Sequence, residues 1–161
     1  MKICVTYYSE TGNTEKIANE IFQGIESEDK DMAKLDGISP EKLMESELAF
    51  IGFPVQAGGL PRSVKSFMKE IPSINKVAIF CTHASPKEMK MVDGALNASE
   101  KILKGKDAEI IGIFDSPGEI KVDNLLKIPM IKQSEEFWKG HPDDEDLKNA
   151  RDFGKEMSSK I

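Results

Sequence analysis

Six consecutive residues, Ser9-Glu10-Thr11-Gly12-Asn13-Thr14, combine three hydroxyls, an amide and a glycine. In a tight turn between a strand and a helix, such residues aim backbone N–H groups and hydroxyls at one spot. That spot lies at the positive end of the helix dipole and suits a phosphate. No Lys or Arg falls inside the turn, so dipoles and hydrogen bonds would meet the phosphate's charge. The pattern is not a Walker loop, GxxxxGK[ST], nor a dinucleotide GxGxxG, because Gly12 stands alone. Composition by itself equally fits a Ser/Thr-rich turn that caps a helix and holds no ligand.

The turn needs a strand before it and a helix after it, and the chain supplies both. Four apolar runs, Lys2–Tyr7, Leu48–Phe53, Lys76–Thr82 and Glu109–Phe114, are rich in Val, Ile, Phe or Tyr and lack alternation. They read as strands buried on both faces. A weaker strand is expected at Met32–Leu35, followed by a short helix around Pro40–Met44. A helix beginning near Thr14 carries an apolar stripe of Ile17, Ala18, Ile21, Phe22 and Ile25. Pro61 opens a second, with Val64, Phe67, Met68 and Ile71 inward. A third runs through Val92, Ala95, Leu96, Ile102 and Leu103, and a last one starts near Asp143 behind four acidic residues. Strands alternating with helices imply βαβ units, hence an α/β doubly wound sandwich around a parallel sheet of about five strands.

The chain of 161 residues is read as one domain with no repeat or linker. One stretch breaks the rhythm: Ser116 to His141 separates the last strand from the last helix, where a few residues ordinarily suffice. It holds Val122, Leu125, Leu126, Ile128, Met130, Ile131, Phe137 and Trp138, too apolar for a solvated linker. Chain direction has this insertion leave and return at the sheet's carboxyl edge, beside any ligand crevice there.

Charge and composition exclude some functions. A net charge of −6 argues against nonspecific nucleic-acid binding. No apolar run is long enough to span a membrane, and Met1-Lys2 leads directly into a strand-like run without a signal peptide, so a cytoplasmic location is expected. Cys4 and Cys81 form neither a CxxC pair nor a metal-ligand spacing and read as buried reduced thiols, although Cys81 stands one residue before a loop.

The run Val5-Thr6-Tyr7-Tyr8-Ser9-Glu10-Thr11-Gly12-Asn13-Thr14, followed by Ala18 and Ile21, closely resembles the signature of the flavodoxin family around its FMN-phosphate loop. Thr6 departs from the family's usual apolar residue but lies in the strand. The resemblance extends through the later loops to the C-terminus. It implies FMN as cofactor and the sheet order 2-1-3-4-5. The flavin would sit at the switch point between strands 1 and 3, where the strand order reverses and the sheet's carboxyl edge opens into a crevice. It also implies that Ser9, Glu10, Thr11, Gly12, Asn13 and Thr14 serve the phosphate end.

Two further loops at the same edge would then meet the flavin. The first is Pro54-Val55-Gln56-Ala57-Gly58-Gly59, whose paired glycines allow close approach to a planar ring. In the family this loop touches the flavin near N5, and a peptide there can reorient on reduction; here it would lie within Ala57–Gly59. The second is Thr82-His83-Ala84-Ser85-Pro86. Many flavodoxins stack aromatic rings from these loops, but the first loop here has none and the second offers only His83. His83 would stack on or hydrogen-bond to the flavin, or be an exposed loop histidine. His141, in Gly140-His141-Pro142-Asp143, resembles a run recurrent in flavodoxin-like proteins with a similar late insertion. It reads as a turn before a helix cap, or as a residue near the flavin. Asp115 and Glu119 lie at that edge and read as solvated carboxylates.

The expected function is therefore electron transfer by bound FMN between redox partner proteins, with no side chain serving as a general acid or base. The alternative is an FMN-dependent NAD(P)H:quinone-type oxidoreductase with a small-molecule acceptor, a monomer or homodimer whose insertion walls a pocket or a dimer contact. A flavin-free response regulator of the same strand order needs acidic residues after strand 1 and an Asp after strand 3. Tyr8-Ser9 and Phe53-Pro54 stand there instead.

Overall fold

The computed structural model describes residues 1–86 and 90–161. A five-stranded, all-parallel sheet is built from β1 (Ile3–Tyr7), β2 (Lys30–Lys34), β3 (Leu48–Pro54), β4 (Lys76–His83) and β5 (Glu109–Pro117) in the order β2-β1-β3-β4-β5. Helices α1 (Asn13–Gly24) and α7 (Asp144–Ser158) cover one face, and α2 (Arg62–Glu70) and α3 (Met91–Lys104) the other. Between β5 and α7 lie three short helices, α4 (Asp123–Leu126), α5 (Pro129–Gln133) and α6 (Glu135–Trp138). Pro40–Glu45 forms a 3₁₀ turn rather than a full helix. No helix among the described residues is long and apolar enough to cross a membrane.

The central strands are apolar on successive residues because both faces are covered. Ile3, Val5, Leu48, Phe50, Ala78 and Phe80 pack against Ile17, Ile21, Phe153 and Met157. Cys4, Ala49, Ile51, Phe53, Val77, Ile79 and Cys81 pack against Val64, Phe67, Met68 and Leu103. Fully burying each large side chain contributes roughly 1.5–3 kcal/mol. Helices α1 and α7 cross at backbone distance: a Cβ on Gly24 would fall 2.0 Å from the Arg151 carbonyl oxygen, and one on Gly154 2.2 Å from that of Ile21.

The expectation of burial on both faces fails for the last strand. β5 is the sheet's edge, and Glu109, Ile113 and Asp115 are exposed, Ile113 by 41 %. Its pairing slips between Val77 and Ala78, leaving Ile111 as an extra residue in a bulge. The strand also runs further than its apolar residues, because Ser116 and Pro117 continue the register opposite Thr82 and His83. The long connection thus begins at Gly118. It closes on itself at the carboxyl edge of the sheet, where Glu119 N–H donates to the His141 carbonyl at 2.7 Å.

Candidate functional site

At the end of β1, Gly12 takes φ +93°, a conformation that glycine adopts without penalty, and stands as the N-cap of α1. The four leading N–H groups of that helix lack intrahelical acceptors. Ser9 Oγ accepts those of Gly12 (3.2 Å) and Glu15 (3.3 Å), while the N-cap itself provides no side-chain acceptor. The amides of Asn13 and Thr14 are left for a ligand or solvent. Helix α7 is the contrast within the chain: Asp143 and Asp146 close its N-terminus in a reciprocal capping box.

The loop is tied down on two sides. The Thr14 and Thr82 hydroxyls meet at 2.7 Å in a buried contact between α1 and the end of β4. Asn13 Nδ2 donates to the Glu119 carbonyl at 2.8 Å. That bond fixes the amide's orientation, and Asn13 Oδ1, on a residue 8 % exposed, is left buried without a hydrogen-bond partner. A buried acceptor of this kind calls for a donor such as a ligand hydroxyl. The residues present therefore fit a phosphorylated polyol: free amides for the anion and an unsatisfied acceptor for an O–H. Tyr8 Oη donates to Glu10, and Glu10 holds the tyrosine's pKa above its ordinary value.

Ser9, Glu10, Thr11, Asn13 and Thr14 line one cleft together with Pro54, Val55, Gln56, Thr82, His83 and Ala84. An adjoining apolar cleft is lined by Val55, Gln56, Ala57, Gly58, Ala84 and Ser85. Its far wall consists of Ile120, Val122, Leu125, Met130 and Ile131 from the 118–141 segment. Gly12 and Gly59 line neither cleft. Gln56 and Gly59 exchange both backbone hydrogen bonds (3.0 and 2.9 Å) around Ala57 and Gly58. Both central residues have positive φ, +46° and +73°, as a type I′ turn requires.

His83 is not an exposed loop residue. It is the last residue of β4, its side chain is 1 % exposed, and both ring nitrogens are engaged: Nδ1 with the Ser85 carbonyl (2.9 Å) and Nε2 with Asp115 (2.8 Å). Asp115 is accordingly paired rather than merely solvated. Phe137 of α6 stacks on the imidazole with centroids 5.8 Å apart. Trp138 is buried and donates Nε1–H to the Ile131 carbonyl (3.3 Å) and Ser134 Oγ (3.2 Å), giving the segment a small core of its own.

Cys81 does not approach the clefts. It is fully buried on the α2/α3 face, and burial pushes its thiol pKa well up. His141 lies in the turn before α7, with Nδ1 on Asp146, and reaches the site through its backbone carbonyl alone. Two contributors were not legible in the motif. Lys121 Nζ donates to the Thr11 carbonyl at 3.3 Å, and the aliphatic wall comes from Val122, Leu125 and Met130. The apolar content of the segment is the sequence signal for the wall; Lys121 has none.

Comparison with known proteins agrees with this geometry. A family profile described as a flavodoxin domain matches residues 4–155. The chain is 30 % identical to the flavodoxin-like domain-containing protein BilS of Clostridioides difficile, over 99 % of this chain and 98 % of the relative. Among solved structures, a flavodoxin from the domain Archaea superposes with a TM-score of 0.71 at 19 % identity, covering 99 % of this chain and 98 % of that one. A Lactobacillus acidophilus flavoprotein in complex with FMN gives 0.56 at 19 % identity, covering 71 % and 92 %.

Proposed function

The chain belongs to the flavodoxin domain family, and from that premise we propose that it holds FMN non-covalently and carries electrons between redox partners. The observation that carries this reading is the uncapped turn Ser9–Thr14. The Asn13 and Thr14 amides and the unsatisfied Asn13 Oδ1 stand at one end of a cleft whose other end is apolar. The flavodoxins of similar fold and the FMN complex of the Lactobacillus relative support it.

The residues divide the work by chemistry. Asn13 and Thr14 amides would receive the phosphate, and Asn13 Oδ1 a ribityl hydroxyl. The hairpin Gln56–Gly59 and the aliphatic wall would receive the ring and keep water from it. FMN, when bound, supplies the electron chemistry, accepting one or two electrons. Two buried free thiols suit the reducing cytoplasm. An absorbance spectrum of the purified protein, followed by titration of the apo form with FMN, tests the reading. Flavin bands or stoichiometric uptake are expected; neither bands nor uptake would overturn it.

A second reading rests on the wall formed by Val122, Leu125 and Met130, all large apolar side chains left at least 40 % exposed beside the cleft. Such a wall could receive a small apolar acceptor, as in an FMN-dependent NAD(P)H:quinone-type oxidoreductase. Rapid mixing of the FMN-loaded protein with NADPH and NADH separates the two. Fast bleaching supports the reductase, and no bleaching supports the carrier.

A further inference from the structure

The Ser9–Thr14 turn contains no cation, yet a phosphate monoester carries about −1.5 to −2 charges near neutrality. The 118–141 segment brings one from far along the chain. Lys121 Nζ lies 3.3 Å from the Thr11 carbonyl oxygen, and two contacts beside it hold the segment on the loop. Asn13 Nδ2 donates to the Glu119 carbonyl, and Gly118 sits so close that a Cβ there would fall 2.8 Å from Asn13 Nδ2. Among the described residues lining this cleft, Lys121 is the one Lys or Arg, against the carboxylates of Glu10 and Glu119. An ammonium group has three donors, so one bond to Thr11 leaves two for an anion.

We propose that Lys121 is the counter-charge of the phosphate, delivered by the 118–141 segment, and that it makes the site select phosphorylated over dephosphorylated flavin. This rests on the FMN reading and names the residue that would set its selectivity. The carbonyl of Thr11 holds the ammonium beside the loop, so its side-chain entropy is already partly spent before an anion arrives.

The test uses the full chain stripped of bound flavin and titrated with FMN and with riboflavin, both followed by flavin fluorescence. Lys121→Gln should weaken FMN about tenfold, the size of a lost charge-assisted hydrogen bond at a partly exposed site. Riboflavin affinity should stay unchanged, Lys121→Arg should keep most of the FMN affinity, and the FMN difference should shrink at high salt. An FMN affinity of Lys121→Gln within about twofold of wild type, the scatter of ordinary surface substitutions, overturns the proposal. So does an equal loss for both ligands, which would make Lys121 a brace of the loop. A wild-type chain that takes up neither flavin overturns the FMN reading itself, an outcome separate from these.

Discussion

His83 Nε2 lies 2.8 Å from a carboxylate oxygen of Asp115, and this pair joins the ends of β4 and β5 directly beneath the 118–141 segment. Nδ1 meets the Ser85 carbonyl, which only accepts, and Nε2 faces the Asp115 carboxylate, so both ring nitrogens are held. The segment rests on the same ring through Phe137. Asp115→Ala should therefore leave a buried ring nitrogen without its partner and cost about 1–2 kcal/mol, a modest figure because the carboxylate is partly exposed. Urea unfolding measures the loss. Limited trypsin digestion adds a local readout, since loosening His83 should expose Lys127 and Lys132 to cleavage first. Unchanged stability and an unchanged digestion pattern would sink this account.

Much of the sheet and the turn that follows β1 is legible in the sequence because its signals are local. Apolar runs mark buried strands, and Ser9 accepts the amides of Gly12 and Glu15 within the turn itself. β5 misled for the same reason: an apolar run cannot show that a strand lies at the edge, where Ile113 meets solvent. The environment of His83 depends on Asp115 and Phe137, which lie far along the chain and leave no local signal. Lys121 was invisible to motif reading, since it reaches Thr11 only through the path of the 118–141 segment.

The two glycines of the Gln56–Gly59 hairpin should separate cleanly. Gly58 has φ +73°, whereas Gly59 has no positive φ and its nearest obstacle to a Cβ is 3.8 Å away. Gly58→Ala should cost about 1 kcal/mol from the left-handed conformation alone, and Gly59→Ala close to nothing. If the loop meets bound FMN as proposed, only Gly58→Ala should move its two one-electron potentials, because only that substitution strains the loop's backbone. Equal effects of both substitutions on stability and potentials would refute the distinction.

The thiols should be unreactive in the native state. Cys4 is 2 % exposed, and its pKa is pushed up to about 11, first by burial and then by Asp31. Thiolate is the reactive form, so an aromatic disulfide reagent at pH 8 should find neither cysteine until the chain unfolds, and then both. The sign of the linkage follows. The folded-state pKa is raised, so the protonated thiol's contribution is complete below about 9 and is lost as pH rises toward 11. Rapid labelling of the folded protein would show that the core opens at β1.

The contact between Thr14 and Thr82 offers the sharpest test of how the Ser9–Thr14 turn is held. Both hydroxyls are buried, 2.7 Å apart, and they connect the first turn of α1 to the end of β4. Thr14→Val keeps the shape but leaves the Thr82 hydroxyl buried beside a methyl group, which should cost about 1–3 kcal/mol. Thr82→Val should do the same from the other side. Replacing both removes the orphan as well as the bond, so the double variant should be nearly as stable as wild type and more stable than either single one. Flavin binding adds an independent axis: if the pair positions the Asn13 and Thr14 amides, the single variants should lose FMN affinity in step with their stability, and the double variant should recover both. Strictly additive losses in the cycle would mean that the hydroxyls act separately, and the turn would then be held by Ser9, Asn13 and Lys121 without that pair.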